Sequence, residues 1–171
     1  ASSARTPTQR VYTKFGERVS MDLVVGLPPS ITHGFIAACV FYDWASGQVG
    51  VAYLKSKTSE AIIAAMKQYE ADHVYELRDV GGHVMEWHKD NELTSEQIEE
   101  FCQHAAASST FSVPYDKNTN PGAERTIGIL LRPMRIMAAH HTGGGDRFQF
   151  WPFLMNQAAN IHNALPARKH R

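Results

Sequence analysis

Residues 18–26, RVSMDLVVG, decide the fold. Their side chains alternate, with Val19, Met21, Leu23 and Val25 on one face of an extended chain and Arg18, Ser20 and Asp22 on the other. An acid therefore stands in the middle of a strand. Downstream, FIAACVFYDW (35–44) is almost continuously apolar, which suits a strand covered on both faces, and it turns at Ala45-Ser46-Gly47. QVGVAYLK (48–55) follows within hairpin distance and predicts a third strand.

The pattern then shifts to alternating helices and strands. Thr58 or Ser59 opens a helix over 60–71, in which Ile62, Ile63, Met66 and Tyr69 or Glu70 carry the helical period. Gly81-Gly82 break the chain before HVMEWHKD, a short strand ending at Asp90. Thr94 or Ser95 opens a second helix over 95–107, with Ile98, Phe101, Cys102 and Ala105 on its core face. FSV (111–113) predicts a brief strand stopped by Pro114, and DKNTNPG (116–122) a polar loop of turn formers. Long helices are expected over 121–139 and 147–163, on either side of Thr142-Gly143-Gly144-Gly145. The order is that of an α/β protein whose mixed sheet is covered by helices.

Composition bounds the function. A chain of 171 residues suits one domain with a sizeable core, and 43% hydrophobic with 20% charged residues is typical of a soluble globular protein. Lys plus Arg and Asp plus Glu balance at 17 each, so any contact with nucleic acid must come from local patches. No apolar run reaches the roughly 18 residues of a membrane span, and no secretory segment is read at the start. Cys39 and Cys102 are too few and too far apart for a disulfide framework or a four-ligand zinc site, and a reducing compartment is expected. His88, His140 and His141 read as surface or hinge histidines, and Trp44, Trp87 and Trp151 as core.

The expected organisation is a flexible linker over 1–15, a core domain over 16–166 and a basic tail over 167–171. The first fourteen residues are rich in Ser, Thr and Arg without an acid, so a remnant of an organellar targeting segment is the lesser reading. A fragment of a longer protein is expected.

A third acid joins Asp22 and Asp90. On a helix starting near Pro121, Ile127, Leu130, Leu131, Met134 and Ala138 form the apolar stripe, and Glu124 lies at its edge. Arg135 falls near the azimuth of Glu124, while Arg125 and Arg132 lie together about a quarter turn round. Pro133 is expected to kink this helix or end it early. Singly, an acid at a strand end is commonly a solvated residue, and a first-turn Glu commonly complements the helix dipole. As a set, Asp22, Asp90 and Glu124 supply the hard oxygen ligands that magnesium or manganese takes. Two such ions roughly 4 Å apart serve phosphodiester cleavage and transfer by activating the attacking oxygen and stabilising the leaving one.

Five blocks in order carry a resemblance. They are GERVSMDLVVGLP (16–28), FYDWASGQVGVAYLKSKTSEA (41–61), KDNELTSEQIEEFC (89–102), PYDKNTNPGAER (114–125) and FWPFLMNQAANIHNALP (150–166). The first is similar to a first-strand motif with an Asp and a downstream Gly-Pro. The second resembles an Asp-x-x-Ser hairpin with a Lys-Ser-Lys helix start. The third resembles an Asp-Asn-Gly-x-Glu-Phe region, and the fourth Pro-Tyr-x-Pro-Gln-x-Asn-Gly-x-x-Glu-Arg. The last is similar to a closing Phe-Trp-x-x-Ala helix with Asn-x-x-Pro. Together they resemble the catalytic core of a retroviral-type integrase, closest to those of copia-like retrotransposons, with 33 residues between Asp90 and Glu124.

That resemblance implies a ribonuclease H-like fold, a five-stranded mixed sheet flanked by helices. It implies that Asp22, Asp90 and Glu124 are the catalytic acids and hold two Mg2+ or Mn2+ ions. It also implies processing of a DNA 3′ end and its transfer to a target strand by a multimer, with nuclear localisation if the enzyme is active. Arg125, Arg132, Lys89 and Asn120 are the DNA-contact candidates, Arg125 foremost; Lys55 and Lys57 read rather as a solvated helix start.

Departures from the family pattern cluster near the acids. Lys89 stands where the family usually has Ser, Glu92 where it has Gly, Lys117-Asn118 for Pro-Gln and Asn120-Pro121 for Asn-Gly. The competing expectation is therefore a domesticated, inactive domain, intracellular with an organelle not excluded, that serves as a structural or protein-binding subunit of a larger assembly.

Overall fold

The computed structural model describes residues 10–90, 93–112, 121–140 and 147–165, with Pro121, Ala123, Glu124 and Arg147 described by backbone alone. Strands β1 (Val19–Val24), β2 (Ala37–Asp43) and β3 (Val49–Leu54) form an antiparallel meander. Strands β4 (Glu86–Lys89) and β5 (Ser108–Phe111) then add in parallel on the other side of β1, giving the order β3-β2-β1-β4-β5. This is the five-stranded mixed sheet flanked by helices expected from the sequence.

Parallel neighbours require crossovers, and helices α1 (Ser59–Asp72) and α2 (Glu96–His104) supply them. Thr58 caps α1 by accepting from Ala61 N, and Ser95 caps α2 by accepting from Ile98 N. The two helix starts are tied by a 2.8 Å hydrogen bond from the Ser59 hydroxyl to Ser95 Oγ. Ile62, Met66 and Tyr69 of α1 and Ile98 and Cys102 of α2 pack on Val19, Met21, Phe41 and Trp87. On the opposite face, α3 (Pro121–His140) and α4 (Trp151–Ala164) bury Leu130, Met134, Trp151 and Met155 against Val24, Ala38, Val40 and Val49. β2, apolar on both faces, is the spine between these two cores.

Two close approaches fix the frame of the sheet. Gly16 has φ of +82°, and a Cβ there would lie 2.3 Å from Leu77 Cδ2, so only glycine fits. Its amide donates to the fully buried Asp43, which also accepts from the Ser46 amide and hydroxyl. The Asp-x-x-Ser hairpin is thus a carboxylate clamp that joins the β2–β3 turn to the chain before β1.

Three local expectations shift. β5 starts at Ser108, three residues before the apolar FSV segment, and ends at Phe111, the first residue of that segment. It is an edge strand whose Ser109 and Thr110 bond to Glu99 and Glu86, so polar contacts replace the apolar alternation used to find strands. Helix α3 continues past Pro133 to His140, because Leu130, Met134 and Ala138 hold it on the sheet from both sides of the proline. A short 3-10 helix, Glu76–Val80, precedes Gly81 and was not anticipated. No helix among the described residues is long and apolar enough to cross a membrane. Residues 1–9 of the linker expected over 1–15, residues 113–120 with Asn120, Glu92 and the expected basic tail lie outside the described residues.

Candidate active site

The site begins with strand register. β1 and β4 are parallel, with Val19 opposite Trp87, Ser20 opposite His88 and Met21 opposite Lys89. Asp22 and Asp90 are the next residue on each chain, and a continuation of that register would put both on the same face of the sheet. β4 and β5 continue the row: Lys89 pairs with Phe111, and the Ser112 hydroxyl donates to Asp90 Oδ1 at 3.0 Å. Asp22 lies within β1, and Asp90 and Ser112 lie one residue past the ends of the adjacent strands β4 and β5. Asp22 is half-buried and accepts from its neighbour Leu23 N at 2.7 Å, while Asp90 is exposed at the strand end. Burial pushes the Cys39 thiol up, and the nearby Asp22 charge adds to that rise.

Helix α3 approaches the same face. A Cβ on Gly122 would lie 3.0 Å from the Tyr42 ring and 3.1 Å from the Trp44 ring, so the first turn of the helix sits directly on β2. Trp44 Nε1 donates to Ser20 Oγ at 2.8 Å, and Tyr42 pairs with Ser20. Ser20 is one pleat from Asp22 along β1, so the start of α3 packs on the face of the sheet that carries Asp22. Thr126, fully buried, donates to the Gly122 carbonyl and tightens that turn. The backbone of Glu124 lies between Gly122 and Thr126. Its carboxylate lies outside the described side chains, and among the described residues no group of three His, Cys, Asp or Glu side chains is set to hold a metal ion.

The donors that are in place suit a hard cation. Two carboxylates side by side repel, and a divalent cation bound by oxygen relieves that repulsion. Both cysteines are buried, and burial raises the Cys39 thiol, which disfavours the thiolate that a soft metal would take.

The arginines and the lysine separate. Arg125 and Arg132 are both exposed and lie seven residues apart on α3, hence on one stripe of the helix. Lys89 does not join them. Its side chain is 0% exposed and points to the opposite face, where Nζ pairs with Glu99 Oε1 at 2.5 Å and lies 5.0 Å from the Phe111 ring centre. The pleat explains this: neighbouring residues on a strand face opposite ways, so a lysine next to Asp90 in sequence is removed from it in space. The expectation that Lys89 contacts DNA is corrected accordingly.

Sequence reasoning missed a polar ladder below the acids. Thr110 donates to Glu86 Oε1 at 2.8 Å and therefore accepts from His88 Nδ1 at 2.9 Å. Glu86 in turn pairs with Arg18 at 3.4 Å. The signal was present as polar residues at every second position, Glu86, His88 and Asp90 on β4 and Ser108, Thr110 and Ser112 on β5. Without the register, the two series could not be set side by side.

Comparison with known proteins finds likeness in fold alone. No protein-family model and no curated protein matches the sequence. Among solved structures, the HTLV-2 integrase catalytic core domain in complex with magnesium superposes with a TM-score of 0.65 at 18% identity, over 95% of this chain and 95% of that one. The fold is that of a retroviral integrase catalytic core. A chain of the simian T-cell lymphotropic virus intasome in complex with the PP2A regulatory subunit B56 gamma matches with a TM-score of 0.70 at 18% identity over 96% of this chain. This chain spans 57% of the length of that one. The BIV integrase catalytic core matches at 0.56 and 15% identity. The integrase-core fold accounts for the sheet order and for helices on both faces.

Proposed function

We propose that the chain is the core of a metal-dependent DNA integrase of a copia-like retroelement, in which Asp22, Asp90 and Glu124 hold two Mg2+ or Mn2+ ions. The single observation that supports this reading is the parallel register of β1 and β4, Met21 opposite Lys89, which leads on to Asp22 and Asp90, on the face of the sheet that α3 covers. The HTLV-2 core was solved with magnesium, in dimeric and trimeric forms. A homo-oligomer acting in the nucleus on element ends and target DNA is the corresponding expectation for this chain.

The ions, when bound, supply an activated oxygen nucleophile and neutralise charge on the leaving oxygen. The chain's part is to hold three carboxylates on rigid elements, two on the sheet and one at a helix start, so that the attack is aligned. In the first step a water oxygen bonds to phosphorus near the DNA end and the bond to the 3′ oxygen breaks, the proton passing to the freed 3′ hydroxyl. In the second, that hydroxyl oxygen bonds to a target phosphorus and one target P–O bond breaks, its oxygen taking the proton. Arg125 and Arg132, exposed on α3, would meet phosphates beside the acids.

The balanced charge of 17 basic and 17 acidic residues favours a second reading, a domesticated domain that binds protein partners in a larger assembly. Joining of a labelled DNA end to a target in Mn2+ separates the two. The enzyme reading expects joining by the wild type and none by Asp90→Asn; a wild type indistinguishable from Asp90→Asn supports the domesticated reading.

A further inference from the structure

The strand end that carries Asp90 is held from two sides. On one face Lys89 is locked to Glu99; on the other, Ser112 donates to Asp90 Oδ1 at 3.0 Å. Ser112 is itself immobilised. Its amide donates to the Lys89 carbonyl at 3.1 Å, one ladder step beyond the last residue of β5, and its side chain is buried. The hydroxyl also lies 3.5 Å from that same carbonyl, but it has one proton, and the shorter contact to the charged carboxylate takes it. Asp90 by contrast is exposed at the strand end, where a hydrogen bond to the carboxylate selects among its rotamers.

We infer that Ser112 is a positioning residue: its hydroxyl fixes the Asp90 carboxylate in the orientation that a divalent cation shared with Asp22 requires. The inference rests on the metal-site reading above and goes beyond it by naming the group that preorganises one ligand. Hydrogen bonds to a ligating carboxylate typically change metal affinity about 10- to 100-fold when removed. The effect should fall on metal binding rather than on folding, because the Ser112 amide keeps its ladder bond in Ser112→Ala and water can reach exposed Asp90 in place of the hydroxyl.

Mn2+ affinity, read from the electron paramagnetic resonance signal of the free ion, tests this without reference to activity. Ser112→Ala should weaken Mn2+ binding about tenfold at an unchanged melting temperature, and Ser112→Thr, which keeps the hydroxyl, should restore it to within about twofold of wild type. Wild-type affinity in Ser112→Ala overturns the inference, as does equal weakening in Ser112→Thr, since the hydroxyl would then not be the cause. Asp90→Asn is the control: if it loses Mn2+ while Ser112→Ala does not, only the role of Ser112 fails. If Asp90→Asn binds like wild type, the metal-site reading fails with it.

Discussion

Lys89 Nζ lies 2.5 Å from Glu99 Oε1, on the face of β4 opposite Asp90. Glu99 also accepts from Ser109, and the ammonium sits over the Phe111 ring, so one buried charge ties α2, β4 and β5 together. Removing one partner of such a pair strands the other. Glu99→Gln, leaving Lys89 charged at 0% exposure, should cost about 3 kcal/mol, the low end for a broken buried pair because the Glu99 side chain is 29% exposed. Lys89→Met fills the same space without a charge and should stay within about 1 kcal/mol of wild type. Urea unfolding of both variants checks the asymmetry.

Asn163 caps the sheet edge. Its Oδ1 accepts from Val49 N and its Nδ2 donates to Val49 O, each at 2.9 Å, so one side chain stands in for a neighbouring strand on β3. Asn163→Ala should lose about 1–2 kcal/mol. Hydrogen exchange at the Val49 amide should quicken correspondingly; unchanged protection there would exclude the role.

Helix α2 ends on a strained residue. Ala106 has φ of +53°, with its amide bonded to Gln103 O and that of Ala107 to Cys102 O, a turn that favours glycine at this position. Ala106→Gly relieves the left-handed strain but loosens the unfolded chain, and the net gain should be about 0.5 kcal/mol. Thermal unfolding would show a small rise in Tm.

Asp43 gives a pH signature. Burial raises its carboxyl above the ordinary aspartate value, against the lowering effect of its bonds from Gly16 and Ser46. A raised folded-state pKa means that the folded chain holds the proton more tightly than the unfolded one. The associated stability is complete below about pH 3.9, the unfolded value, and is lost as pH rises through the raised one. Glu70, also raised by burial, has the same sign and is common to both proteins compared. The stability advantage of wild type over Asp43→Asn should therefore shrink as pH rises from 4 toward neutrality, about as far as the carboxyl ionises. Denaturant midpoints across that range measure it; a growing advantage would contradict the sign.

Much of this was legible because the residues that build the sheet carry strong local signals. The alternation around Asp22 and the apolar run of β2 placed two strands, and Thr58 and Ser95 marked two helix starts. The polar edge strand β5 was displaced because its side chains bond to partners distant in sequence, which no local period reveals. Lys89 was misread for a related reason: adjacency in sequence suggested adjacency to the acid, and the pleat reverses it. Asn163 lay in a recognisable Asn-x-x-Pro, yet its reason, the open edge of β3, exists only in the folded sheet. The parallel register that leads on to Asp22 and Asp90 is implied by the sequence only once the fold is known.

Anomalous scattering from crystals grown in Mn2+ tests whether Asp22 and Asp90 share a cation. A manganese peak in contact with both carboxylates is the expected result. Ordered crystals in which manganese binds elsewhere, or in which the two carboxylates stand too far apart to share an ion, would contradict it.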